Sequence, residues 1–287
     1  METLRKIGQN HLYFEPDSEH VSNVLCGLFM RAMGHGLSVA FVDCSQKAQK
    51  FKNFFENSCI SHSFKKQFEH FNSAFFTIEN TEKVKVLSLP QVEYLTLTHD
   101  QFWKVLERYD VVLFDNLQFE TLSKYALISY LTSKPEKQEL CLQTTSKQIY
   151  TEFEPHTHLV TQYLKKTKKE QTLSSKKNLI CLTGNGKGKS TWSFGYLFNH
   201  FLNKQNVKLI YFDKGGDYYG EKHFFTAVKQ WSKQHPLYGT FDFVTTGKPR
   251  FNGETFRFEN TPEDINEAKE GIELLRTALK KTNTHSC

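Results

Sequence analysis

Residues 181–195 read Cys-Leu-Thr-Gly-Asn-Gly-Lys-Gly-Lys-Ser-Thr-Trp-Ser-Phe-Gly, and no other stretch restricts the fold of this 287-residue chain as strongly. The apolar run Leu179–Leu182 predicts a strand, and the residues from Lys189 onward predict a helix. Between them, Gly184, Gly186 and Gly188 let the backbone curl so that successive N–H groups point inward at an anion. Lys189 is spaced to reach phosphate oxygens, and the Ser190 hydroxyl to reach a divalent cation. The helix adds its positive end to the same place. Strand, phosphate-binding loop and helix in this order predict an α/β fold with a mainly parallel sheet covered by helices. The usual spacing puts a further Gly where this chain has Thr183.

That departure is part of a resemblance. Thr183-Gly-Asn-Gly-Lys-Gly-Lys-Ser-Thr191, followed by Ser193-Phe194-Gly195, resembles the loop of the P-loop ATP:cob(I)alamin adenosyltransferases, in which a Thr also stands at the unusual place. Val207–Asp213 is a second apolar strand, followed by Lys214-Gly215 where the family has Lys-Gly. Gly220-Glu221 stands at the family's Gly-Glu, and Thr246-Gly247 follows a third strand, Phe241–Val244. The resemblance spans residues 178–281.

It implies ATP held by Gly184, Asn185, Gly186, Lys187, Gly188, Lys189, Ser190 and Thr191, with Ser190 on Mg²⁺ (or Mn²⁺). Lys187 and Lys189 would serve catalysis by neutralising the leaving triphosphate. The implied reaction is adenosyl transfer to a reduced corrinoid, cob(I)alamin or cob(I)yrinic acid a,c-diamide, supplied by a flavoprotein reductant. Glu221 is carried over as a further site candidate. In the family a Phe and a Trp follow Thr-Gly and pack under the corrin ring. Here the chain has Lys248-Pro249-Arg250-Phe251, so Phe251 is the corrinoid candidate, with Phe256 behind it.

An internal repeat organises the rest. Sliding the sequence on itself lays His11–Asp43 over Cys181–Asp213. Both copies read as strand, turn, helix and a strand ending in Asp. The first copy also carries Arg31-Ala-Met-Gly-His-Gly36, similar to a motif that follows the P-loop helix in the family, where the second copy has Phe201-Leu-Asn-Lys-Gln-Asn206. Tyr109–Leu117 and Leu140–Thr144 resemble later strands of the family. The first copy has no phosphate loop. Phe14, Pro16 and Glu19 lie under Gly184, Gly186 and Lys189, and an acid at the lysine position repels a triphosphate. Two P-loop-type domains are therefore expected: a degenerate one over residues 1–164, and an ATP-binding one over 178–287, joined by a Lys-rich linker at 165–177. The two are expected to pack together as an intramolecular pseudo-dimer; a homodimer is the other arrangement.

Composition narrows the class. The net charge of +6 comes largely from the six lysines between 165 and 177. Without interleaved aromatics that run reads as a solvated linker, and no nucleic-acid partner is expected. No apolar run is long enough for a membrane span, and the N-terminus has no signal-peptide pattern. The six cysteines form no Cys-x-x-Cys pair, so neither a zinc site nor a redox motif is indicated; several sit in apolar strands or helices and read as buried thiols, from which a reducing cytoplasm is expected.

Asp115 ends an apolar strand where a Walker B acid would hold Mg²⁺ through water, but with Asn116 after it and no phosphate loop in this copy it reads as a relic or a strand-end cap. Thr261-Pro262 begins a helix, with Thr261 as N-cap. Its stripe Ile265, Ala268, Ile272, Leu275, Leu279 is expected to pack on the sheet. The chain stops before the acidic strand that the resemblance places next, so the second copy reads as ending early. A P-loop ATPase or kinase and a non-catalytic ATP-binding protein are the alternative functions.

Overall fold

The computed structural model describes residues 9–16, 21–57, 72–79, 83–89, 92–118, 122–163, 188–212, 215–216, 219–235, 238–251, 254–257 and 259–283. The strand at 179–182, the loop residues Gly184, Asn185, Gly186 and Lys187, the 165–177 linker and Asp213 lie outside them.

The first half builds one eight-stranded sheet. Its strands are β1 (Asn10–Phe14), β2 (Val39–Asp43), β3 (Ala74–Ile78), β4 (Lys83–Ser88), β5 (Glu93–Thr98), β6 (Val111–Asp115), β7 (Glu139–Thr144) and β8 (Leu159–Gln162). Their order is β5-β4-β3-β2-β6-β7-β1-β8. All pairs from β3 to β8 are parallel, while β3–β4 and β4–β5 are antiparallel. The central strands are apolar on both faces, as parallel strands covered on both sides must be. Side chains alternate between two cores. Val39 and Phe41 of β2 and Val111 and Leu113 of β6 point one way, and Ala40, Val42, Val112 and Phe114 the other.

The second of these cores is closed by α3 (His99–Leu106), α4 (Lys124–Ser133) and α5 (Lys147–Phe153). The first is closed by α1 (Asn23–Gly34) and α2 (Gln49–Glu56), and it does not stop there. It continues through α6 (Lys189–Leu202) and α7 (Gly220–Gln234) to the parallel pair β9 (Val207–Tyr211) and β10 (Phe241–Thr245). The second half is thus stacked on the helices of the first. The bulky residues of this layer are phenylalanines: Phe51 and Phe54 of α2 meet Phe198 of α6 edge-on, at 6.0 and 5.2 Å between centroids. Such contacts add to the area term of burial.

α1 crosses α6 antiparallel and very closely. A Cβ on Gly27 would lie 1.9 Å from the Thr191 carbonyl oxygen, and one on Gly195 would lie 1.8 Å from that of Asn23. Only glycine lets the backbones approach so far.

α8 (Pro262–Asn283) starts as expected. The Thr261 hydroxyl accepts the Asp264 N–H at 3.3 Å, and the Asp264 carboxylate accepts the Thr261 N–H at 2.8 Å. Its apolar stripe does not pack on the sheet, contrary to expectation. Ile265, Ile272, Leu275 and Leu279 are all exposed. The helix approaches β9 through Gly271, which lies against the Phe212 ring, so a different face is turned inward.

Candidate nucleotide site

Gly188 begins α6 in the left-handed region, with φ of +103°. That conformation suits glycine and turns the chain from the loop into the helix. Lys189, Ser190 and Thr191 follow in the first turn. Ser190 is exposed, whereas Thr191 is buried against Gly27 of α1. Phe194, one turn on, meets Tyr211 at the end of β9 at 5.1 Å. The start of α6 therefore lies at the carboxyl end of the β9–β10 pair, the end where open α/β sheets bind ligands.

Two other motifs meet at the same end. Gly215 and Pro249 form a parallel bridge, and a Cβ on Gly215 would fall 2.0 Å from the Gly247 carbonyl. Gly215 is thus in direct contact with Gly247 and Lys248. Beyond them, Phe251 pairs with Phe256 in an antiparallel bridge. Phe251 is half-buried and Phe256 exposed. Arg257 anchors this turn to α8, its Nη2 donating to Asp264 Oδ1 at 3.0 Å. That bond, with the Thr261 N–H, holds the Asp264 carboxyl below the usual carboxylate range.

Glu221 is buried, and its surroundings belong to both halves. Its Oε1 accepts the Tyr211 hydroxyl at 3.0 Å, and its Oε2 lies 3.9 Å from Arg31 Nε of α1. Beside it, Gly220 N–H donates to His35 Nε2 at 3.3 Å. Burial, with Arg31 next, lowers the His35 pKa, which suits an acceptor nitrogen. Arg31 and His35 come from the Arg31–Gly36 motif of the first half, and Gly220-Glu221 is the Gly-Glu pair of the second half. The structure joins the two across the chain, a relationship the sequence alone did not give.

In the first half, the region facing the start of α1 is filled by the protein itself. Ser22 caps α1, accepting the Leu25 N–H at 3.3 Å, and donates from its hydroxyl to Glu15 at 2.8 Å. Its own N–H donates to Asp115 Oδ1 at 2.9 Å, so Asp115 ties β6 to the cap. The residues read as displacing the loop were Phe14, Pro16 and Glu19. Glu19 lies outside the described residues, and the carboxylate found at the helix start is Glu15, which sequence reasoning passed over. Its only signal was an acid directly after an apolar strand. Burial pushes its carboxyl up, while hydrogen bonds from Ser22, Trp192, Asn23 and the Val24 backbone oppose the shift.

Among the described residues no group of three His, Cys, Asp or Glu side chains could hold a metal ion, and no helix is long and apolar enough to cross a membrane. Cys26, Cys44 and Cys141 are buried and in the thiol form.

A glycine-started helix at the carboxyl end of a parallel sheet, with Lys and Ser in its first turn, defines a P-loop-type α/β protein. Residues 175–286 match the family model described as ATP:corrinoid adenosyltransferase BtuR/CobO/CobP. That part of the chain, under half of its length, is similar to this transferase family. No curated protein matches the chain.

Proposed function

We propose that residues 178–287 bind ATP with Mg²⁺ and pass its adenosyl group to the cobalt of a reduced corrinoid, releasing triphosphate. The observation that carries this reading is the left-handed Gly188 with Lys189 and Ser190 behind it, inside the segment that matches the family. Lys189, with Lys187, neutralises the leaving triphosphate, and the loop N–H groups share that task. The exposed Ser190 hydroxyl fits the metal, which would offset phosphate charge. Thr191 is turned toward α1, which fits a role in seating the helix. Phe251 is the corrinoid contact in this reading.

Residues 1–164 act as a degenerate copy and a built-in partner. Each half has a helix, a five-residue strand, a helix and a five-residue strand, and in each the two strands pair in parallel: β2 with β3, β9 with β10. The contacts between halves are also reciprocal. α1 meets α6; α1 then meets α7, and α6 meets α2. This is the pattern of a dimer within one chain. The buried thiols fit a reducing cytoplasm.

The test is anaerobic incubation of the full chain with MgATP and a reduced corrinoid. The expected products are triphosphate and an adenosylated corrinoid. ADP instead would indicate hydrolysis or phosphoryl transfer, and neither product would leave a binding protein.

A further inference from the structure

Glu15 and Tyr163 follow β1 and β8, neighbouring strands of the first half, and the Tyr163 N–H donates to the Phe14 carbonyl at 2.9 Å. Both stand at the carboxyl end of that sheet, and they face the first turn of α6. The Tyr163 hydroxyl donates to the Gly188 carbonyl oxygen at 3.3 Å. Its ring stacks on Trp192, with centroids 6.2 Å apart, and Trp192 Nε1–H donates to Glu15 Oε1 at 2.6 Å. Glu15 is 4% exposed and also accepts from Ser22 Oγ at 2.8 Å and Asn23 Nδ2 at 3.2 Å. One buried carboxylate therefore ties the start of α1 to the start of α6.

The peptide between Gly188 and Lys189 is the important one. A peptide group is planar, with its C=O and N–H pointing in opposite directions. Fixing the Gly188 carbonyl therefore fixes the direction of the Lys189 N–H. The N–H groups at the start of a helix are the ones a phosphate uses. The Gly188 carbonyl accepts the first bond of the helix, from the Trp192 N–H at 2.8 Å. The neighbouring half adds a second donor to it, the Tyr163 hydroxyl, which lies so near that a Cβ on Gly188 would fall 2.7 Å away.

We propose that Tyr163 and Glu15 are positioning residues, supplied by the first half, that set the phosphate-binding end of α6 in the second half. This rests on the reading of that end as an ATP site. The first half then takes part in nucleotide binding without touching phosphate through a loop of its own.

Calorimetric titration of the full chain with MgATP, together with Trp192 emission, tests the proposal. Trp192→Phe identifies the Trp192 signal against Trp103 and Trp231. Tyr163→Phe removes one hydrogen bond and keeps the ring; it should weaken MgATP binding about 5-fold. Glu15→Gln should shift Trp192 emission and weaken binding in the same direction. Both should keep the wild-type melting temperature to within about 3 °C. A purely structural role would lower the melting temperature and leave the affinity of the folded protein unchanged. If the wild type binds MgATP and both variants bind it equally well, the positioning role is overturned and the ATP reading stands. If the wild type does not bind MgATP, the ATP reading falls and this inference with it. If one variant fails to fold, the affinity of the other decides.

Discussion

Gly27 of α1 lies so close to Thr191 of α6 that a methyl group on it would sit 1.9 Å from the Thr191 carbonyl oxygen. The obstacle is backbone, so no rotamer change relieves it. Gly27→Ala should cost about 1–3 kcal/mol or more through forced separation of the helices. Gly195→Ala, against the Asn23 carbonyl, should cost a similar amount. Because both changes open one crossing, the double variant should lose less than the two losses added. Urea unfolding of the three variants gives the comparison, and strict additivity would mean that the two contacts are independent.

Lys189→Ala should weaken MgATP binding by about 10–100-fold, the loss expected for charge-assisted hydrogen bonds to phosphate. Lys189 is half-buried at the start of α6, and a phosphate role predicts a loss of affinity well beyond any change in the stability of the nucleotide-free chain. Isothermal titration and a thermal scan read the two effects separately. Unchanged affinity would remove Lys189 from the phosphate site.

Arg31→Ala leaves the buried Glu221 carboxylate with only the Tyr211 hydroxyl. Since Arg31 is partly exposed, the loss should be modest, about 1–3 kcal/mol, rather than the full cost of breaking a buried pair. Glu221→Gln in the same chain should recover much of it, because the uncompensated charge is gone. A double-mutant cycle by denaturant unfolding measures the coupling; a cycle that closes at zero would mean that the ion pair contributes nothing.

Asp115 is fully buried, and Oδ2 has no hydrogen-bond partner among the described residues. Burial, with the Asp43 charge next, raises its carboxyl well above the usual range. A raised folded pKa means that the native state holds the proton more tightly than the unfolded chain. Its stabilising effect is complete below the unfolded value, near pH 4, and declines as pH rises toward the folded value. Asp115→Asn imitates the protonated acid at every pH. Its melting temperature should match the wild type near pH 4 and exceed it increasingly above, by about 2–4 °C per pH unit within that window. A constant difference across pH 4–8 would show that Asp115 does not titrate there.

Parallel strands were the legible part of the fold. The runs ending at Asp43, Asp115 and Thr144 are apolar on both faces and too short for helices, which leaves a buried strand as the only economical reading. The antiparallel pair β4–β5 was harder to find. Lys83–Ser88 alternates, but Glu93–Thr98 is mostly exposed along its length and carries no periodic burial signal. The start of α6 was legible because glycine, lysine and serine are needed there for chemical reasons. Glu15, Tyr163 and Trp192 were not. Each is an ordinary residue whose role arises from a contact between segments far apart in the chain, and no local pattern encodes such a meeting. The stripe of α8 shows the converse failure: helical spacing of apolar residues was real, but periodicity says which residues share a face and not which face is covered.

The aromatic layer that runs from Phe41 and Phe51 through Phe198 to Phe225 and Phe241 belongs to neither half. Removing either half would expose rings that the other now covers. The chain should therefore melt in a single cooperative step, with a calorimetric enthalpy equal to the van't Hoff value, although its sequence reads as two units in a row. Sharing a core makes the two halves one thermodynamic object. A mutation in the first half is then felt as a loss of folded protein, at a distance from the start of α6.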